Sequence, residues 1–221
     1  MENEIISLLE EKASTKQDVY RKTQSVFSDL QNLLKAKSIS LTKKILDKDK
    51  SIKVLFSSKG KFEAQLKFSG DTLLFHMHSN VFDFPAGHAI HKTKYVKEDN
   101  LRTFCGVIHI YNFLSDSLKY NRMNDEGYLI ARIFVNKDYH FFVEGDKQLG
   151  FLFNDFVKQV IDKHELEKII ESAMIYSLNF DLQVPNISDV NVVSVHQILQ
   201  MNTSQKIRTA KRLGYKFSFE K

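Results

Sequence analysis

The stretch from Thr103 to Glu144 constrains the fold most, because it contains three strand-like segments in close succession. The segments are 103–113 (TFCGVIHIYNF), 127–135 (GYLIARIFV) and 138–144 (DYHFFVE). In the first segment both the odd-numbered and the even-numbered positions carry apolar side chains, as expected for a strand that is covered on both faces. Only Asn136-Lys137 separates the other two, and a two-residue connection whose Asn tolerates positive φ predicts a tight antiparallel hairpin. We therefore place the centre of the core in this stretch.

Three further strand-like segments precede this stretch, at 52–57, 62–68 and 72–78. In the last two, apolar and polar residues alternate, which is typical of strands with one buried face. Residues typical of turns separate the segments, so we expect antiparallel hairpins here as well.

Two turn registers fit the hairpin formed by the second and third of these segments. A turn at Ser69-Gly70 places Glu63 opposite His76, whereas a turn at Gly70-Asp71 places Glu63 opposite His78. Both registers bring apolar side chains together on the other face. Glu63 and the two histidines therefore share the face that points away from the core.

Residues 1–37 carry apolar side chains at helical spacing, among them Ile5, Leu9, Val26 and Leu30, with charged residues between them. This pattern predicts a long amphipathic helix. Polar residues interrupt the apolar stripe in its middle third, which favours a helix lying across the sheet. A homodimer formed through this helix is the alternative interpretation.

The apolar period returns to that of a helix at 151–179, and Asp162 followed by Glu165 resembles a capping box. We expect two helices here, with a break near His164. The basic segment 186–221 is predicted to contain a C-terminal helix and a terminal strand. The sequence thus predicts a single α+β domain, in which an antiparallel sheet of about six strands within 52–144 is covered by a long N-terminal helix and C-terminal helices.

Composition excludes several classes of protein. Among 221 residues there is one cysteine, Cys105, which rules out an intrachain disulfide and leaves too few thiols for a zinc-cysteine site. No apolar stretch approaches the roughly 20 residues of a membrane-spanning helix. The N-terminus is acidic and does not resemble a secretory signal. We expect a soluble cytoplasmic protein that does not contact membranes.

Histidines are concentrated in the sheet region, and His76 and His78 occupy alternate positions of one predicted strand. Two such imidazoles share a face, and Glu63 on the neighbouring strand and His109 complete a candidate metal site. The segment 70–78 (GDTLLFHMH) also resembles the first half of the cupin metal motif, but no second half follows it. The alternative is a hairpin face that is polar because it is exposed to water.

Arg132 is the second candidate, because the register of the Asn136-Lys137 hairpin places its guanidinium among aromatic rings. The aromatic residues predicted to share its face and to bind a ligand with it are Tyr128, Tyr139 and Phe141. An Arg in such a setting can stack on a ring or hold a carboxylate or phosphate. The alternative is an Arg that extends its charge to solvent from a half-covered face.

The last twenty residues are strongly basic, with six Lys or Arg and one acid, and so account for the chain's whole net charge of +5. The segment 193–215 resembles a helix-turn-helix. The bases that would contact nucleic acid are Lys206, Arg208, Lys211 and Arg212. Lys206, however, stands where that motif needs an apolar residue, and a basic helix that is merely exposed to solvent explains the same pattern.

The sequence contains no Gly-rich phosphate loop, serine elbow or metalloprotease helix, and it identifies no cofactor. These features do not decide whether the chain is an enzyme. We favour a non-catalytic module that binds a small ligand or a protein partner. Its pocket is expected between the aromatic hairpin and the loop at 81–101, because loops of this length are often functional. A nucleic-acid-binding protein and a metal-dependent enzyme are the alternatives.

Overall fold

The structure, a computed structural model, describes residues 1–146, 148–181, 184 and 186–196. Its centre is one six-stranded antiparallel sheet whose strands lie side by side in chain order. The strands are β1 (Val54–Lys59), β2 (Glu63–Phe68), β3 (Asp71–Met77), β4 (Cys105–Leu114), β5 (Tyr128–Asn136) and β6 (Phe141–Gly145). This open meander confirms the predicted α+β class and differs from the two-sheet jelly roll of cupins.

The helices surround this sheet on both sides. They are α1 (Glu2–Leu8), α2 (Ser14–Ile45), α3 (Lys94–Glu98), α4 (Ser115–Lys119), α5 (Gln148–Leu152), α6 (Lys163–Leu178) and α7 (Ile187–Val190). One π-helical turn, Leu9–Ala13, joins α1 to α2, so the first 45 residues form one nearly continuous helix. Two short 3-10 helices, Ala89–Lys92 and Asn100–Thr103, flank α3 in the long connection between β3 and β4.

The main core lies between one face of the sheet and the helices α2 and α6. Alternate residues of the strands point into it, as the period of two requires. Among its fully buried side chains are Phe27, Leu30, Leu66, Leu73, Phe75, Ile108, Ile110, Ile133, Phe141 and Ile169. Lys37 of α2 forms ion pairs with Glu167 and Glu171 of α6, which holds the two helices together above the sheet.

The first hairpin, which is formed by β2 and β3, has the register of the Ser69-Gly70 turn. Glu63 pairs with His76, and Ser69 takes the positive φ of 54° that this turn needs. This confirms one of the two predicted registers. In both registers the apolar face was the same, and that face packs against the main core.

The second hairpin, which is formed by β5 and β6, does not have the predicted two-residue turn at Asn136-Lys137. The backbone N–H of Asn136 donates to the carbonyl of His140 at 3.0 Å, so three residues form the connection, and Tyr139 within it has φ of 61°. The side chain of Asn136 stabilises this longer turn by accepting from the N–H groups of Asp138 and His140. Arg132 therefore pairs with Glu144. The pairing is displaced by three residues, an odd number, so the side chains of β6 lie on the opposite faces from those predicted.

The long helix continues beyond the predicted end near Lys37 and stops at Ile45. Its last turn carries Lys43 and Lys44, whose positive charges interact favourably with the carbonyl end of a helix. Thr42 also bonds both the N–H and the carbonyl of Val54, which attaches the helix end to the start of β1. The eight residues that follow Lys37 are thus helical as well.

The predicted helical region at 151–179 is interrupted by 153–162. Asp162 caps α6 by accepting from the N–H of Glu165 at 2.8 Å, which confirms Asp162 as the N-cap residue. The preceding residues run beside β6, where Phe153 and Gln159 accept backbone hydrogen bonds from Val143 and Phe141. A segment that runs beside an edge strand in this way accepts hydrogen bonds from backbone N–H groups of that strand, which a helix at the same place could not do.

The predicted C-terminal helix and strand fall mostly on 197–221 and lie outside the described residues. Before them the structure shows the short helix α7, which begins after Asn186. Within the part of the chain that the structure describes, no helix combines the length and the apolar character needed to cross a membrane.

Candidate functional site

A row of polar residues crosses the outer face of the sheet, which is the face opposite α2 and α6. Each strand contributes one residue, and each residue is paired with the next. The row is Lys59, Glu63, His76, His109, Arg132 and Glu144. The prediction that Glu63 and the histidines share the face away from the core is therefore confirmed, and the row continues through Arg132 to the last strand.

A cavity of about 700 Å³ lies over the end of this row, between the sheet and the loop that follows β3. Its floor comes from β4, β5 and β6 and its roof from the loop 82–88. The lining residues are Val107, His109, Arg132, Phe134, Phe142, Val143, Glu144 and Gly145 below, and Phe82, Asp83, Phe84, Pro85, His88 and Gly150 around them. A cavity of this size is in the range of small-molecule sites, and it lies between Arg132 and the loop that follows β3.

Aromatic rings form the apolar side of the cavity. Phe134 and Phe142 are stacked with ring centroids 4.8 Å apart and planes inclined by 12°. Phe84 on the roof lies 5.2 Å from Phe134 and 5.6 Å from Phe142. The guanidinium carbon of Arg132 is 5.3 Å from the centre of the Phe134 ring, within the range of a cation–π contact.

The polar side of the cavity is dominated by an ion pair. Nε and Nη2 of Arg132 both donate to the same oxygen, Oε2, of Glu144, and the Nε bond measures 2.6 Å. The two side chains remain 39% and 57% exposed. An ion pair this open to water is weak, so its groups are accessible to a ligand.

His109 lies at the centre of the polar row and on the floor of the cavity. Its Nδ1 is buried and has no hydrogen-bond partner among the described residues. Burial lowers the pKa of His109 below its ordinary value, and the neighbouring side chains of His76, Arg132 and His78 lower it further. The imidazole is accordingly neutral at physiological pH and adds no positive charge to the cavity.

The candidate metal ligands are close together but are not arranged around one point. The ring of His109 lies 6.5 Å from that of His76 and 6.3 Å from that of His78, measured between centroids. His78 Nδ1 accepts from the N–H of Asn80, and Glu63 accepts from Gln65. Among the described residues, no three such side chains are positioned to hold one metal ion.

The loop that carries the cavity roof continues into a segment anchored to the turn between β5 and β6. The hydroxyl of Tyr95 donates to Asp138 at 2.9 Å and accepts from the amide of Asn136 at 3.0 Å. Arg102 donates to Asp138 and to the carbonyl of Tyr95. Burial and then the neighbouring carboxylate raise the pKa of Tyr95, so the phenol stays protonated. The same turn that sets the register of the hairpin thereby fixes the loop above it.

Three predicted partners of Arg132 lie elsewhere. Phe141 is fully buried in the main core, and Tyr128 and Tyr139 pack against that core, on the far side of the sheet from the cavity. For Phe141 and Tyr139 the cause is the three-residue turn. For Tyr128 the cause is a β-bulge, because pairing to β4 passes from Ala131 to Leu129 and leaves Ile130 unpaired.

Sequence reasoning missed Phe84, Phe142 and Glu144, which line the cavity together with Arg132 and Phe134. A three-residue turn at the Asn136 hairpin, had it been assumed, would have placed Phe142 and Glu144 beside Arg132. The candidate nucleic-acid contacts Lys206, Arg208, Lys211 and Arg212 lie outside the described residues, so that interpretation stays a prediction.

Comparison with known proteins gives no relative for this chain. No family model matches it, and neither a curated protein nor a solved structure does so. Its function is therefore inferred from its own geometry.

Proposed function

We propose that this chain is a non-catalytic module that binds a small, partly apolar ligand in the cavity over β4, β5 and β6. The observation that carries the proposal is the position of Arg132. Its guanidinium borders a wall of phenylalanine rings, under a loop that leaves a space of about 700 Å³. Small-molecule sites have this composition, with many apolar surfaces and a few polar groups that orient the ligand.

The lining favours binding over acyl transfer through a serine, cysteine or lysine nucleophile. The described lining residues include histidines and carboxylates but no hydroxyl, thiol or amine nucleophile. His109 has no carboxylate hydrogen-bonded to its Nδ1, so nothing orients it as the base of a triad. A ligand that is held and released without chemical change fits these side chains best.

The site can be tested with anilinonaphthalene sulfonate, an aromatic anion that fluoresces on entering an apolar environment. The chain has no Trp, so the signal is free of tryptophan emission. We expect saturable binding of one molecule per chain, with amide chemical-shift changes in residues that line the cavity. Phe84→Ala and Phe142→Ala should weaken binding about tenfold, because each removes part of the apolar wall.

Leu55→Ala is the matched control, since Leu55 is an exposed apolar residue on β1, away from the cavity. It should leave the affinity unchanged. The proposal is overturned if the probe does not bind, or if the Phe84 and Phe142 variants bind it as tightly as the unaltered protein.

A further inference from the structure

The floor of the cavity consists of two parallel rows with different chemistry. His109, Arg132 and Glu144 form the polar row, and Val107, Phe134 and Phe142 form an apolar row two residues along the same strands. Two residues of a β-strand span about 7 Å. A ligand lying along the strands therefore meets charges at one end and rings at the other, about 7 Å apart.

The charged end offers both signs side by side. Arg132 is positive and Glu144, its pair, is negative, and both side chains line the cavity. A ligand with only a carboxylate would engage Arg132 but leave Glu144 facing a second negative charge. A ligand with only an ammonium group would engage Glu144 but leave Arg132 facing a second positive charge. A zwitterion satisfies both, because it replaces one ion pair by two.

The roof adds to the same pattern. Phe84 covers the two stacked rings of the floor. An aromatic side chain inserted beside Phe84, Phe134 and Phe142 would meet ring edges and faces at the separations that aromatic pairs prefer.

We propose that the ligand is a free α-amino acid with an aromatic side chain. Its carboxylate binds the guanidinium of Arg132, its ammonium group binds Glu144, and its ring lies against Phe134 and Phe142. In such a molecule two carbon atoms separate the carboxylate from the ring, so its charged groups reach the polar row while its ring lies on the adjacent apolar row. This inference rests on the proposed function, since it specifies the ligand of the same cavity.

The test compares L-phenylalanine with three analogues by isothermal titration calorimetry on the full chain. Phenylpropionate lacks the ammonium group, phenethylamine lacks the carboxylate, and L-alanine lacks the ring. We expect L-phenylalanine to bind at least about tenfold more tightly than each analogue, because every analogue leaves one part of the site unpaired or unfilled.

Two variants separate the charges. Arg132→Gln should weaken L-phenylalanine and phenylpropionate about tenfold and leave phenethylamine unaffected or improved. Glu144→Gln should do the reverse, weakening L-phenylalanine and phenethylamine and sparing phenylpropionate. Glu63→Gln is the matched control, because Glu63 lies in the same polar row but outside the cavity.

Failure of this inference is distinguishable from failure of the proposed function. If phenylpropionate or phenethylamine binds as tightly as L-phenylalanine, or if no amino acid binds while anilinonaphthalene sulfonate still does, the zwitterion proposal is overturned and the binding cavity stands. If the sulfonate probe also fails to bind, both proposals are overturned.

Discussion

Arg132 and Glu144 face each other across β5 and β6, and Nε of Arg132 donates to Oε2 of Glu144 at 2.6 Å. Both side chains are well exposed, so solvent screens their attraction. We expect Arg132→Gln and Glu144→Gln each to change the free energy of unfolding by less than about 1 kcal/mol. Urea denaturation measures this, and a loss above roughly 2 kcal/mol would show that the pair has a structural role.

His109 should make the protein sensitive to acid. Its pKa in the folded protein lies below the ordinary value of 6.5, so the unfolded chain takes up the proton more readily. The free energy of unfolding is then fully retained above about pH 6.5 and declines as the pH falls below it. His109→Gln should flatten this decline in urea titrations between about pH 5 and about pH 7.5.

The matched control for His109 is His164→Gln, which alters an exposed histidine in the first turn of α6. It should keep the acid-side decline. An equally steep decline in the His109 variant would mean that other groups cause it.

Gly106 allows α2 to approach β4 closely. A Cβ at this position would lie 2.7 Å from the Cβ of Thr23, which is fully buried. Gly106→Ala should therefore lower the free energy of unfolding by about 1–3 kcal/mol, because the helix must move away from the strand. Adding Thr23→Gly should recover part of the loss, which a double-mutant cycle in urea measures.

Gly70→Ala is the control for Gly106, since nothing lies within 4 Å of a Cβ there. It should have little effect on stability. Equal losses from both glycine variants would point to backbone flexibility and away from the contact with Thr23.

Asn112 is buried in β4 with neither its amide nitrogen nor its amide oxygen hydrogen-bonded among the described residues. An unpaired buried amide costs about 1–3 kcal/mol, so Asn112→Leu, of similar size, should raise the free energy of unfolding. Asn112→Ala should instead lower it, because it leaves a void in the core. A loss of stability in the leucine variant would show that a buried water satisfies the amide.

Side-chain alternation was sufficient to predict much of this fold. It identified the apolar face of the first hairpin and the common face of Glu63 and His76, and together with turn residues and apolar runs it located all six strands of the sheet. It did so because exchanging the faces of a strand would expose its whole apolar set to water. The cap of α6 at Asp162 was equally local, since the hydrogen bond joins residues three positions apart.

The cavity required information that alternation does not contain. In β6 both faces are apolar enough to be buried, so alternation does not decide which face points to the main core. Phe141 and Phe142 are the same residue type, and either could occupy the core position. The choice was made by the turn, in which Asn136 bonds two backbone N–H groups and Tyr139 adopts positive φ.

The sequence by itself thus determined which segments are strands and which face of the first hairpin is apolar. Only the tertiary structure decided that Arg132 meets Glu144 and the Phe134–Phe142 stack, beneath a loop distant in the chain. Alternation records how each residue prefers to face water or core. The register of a strand that is buried on both faces depends instead on turn geometry and on packing with distant segments.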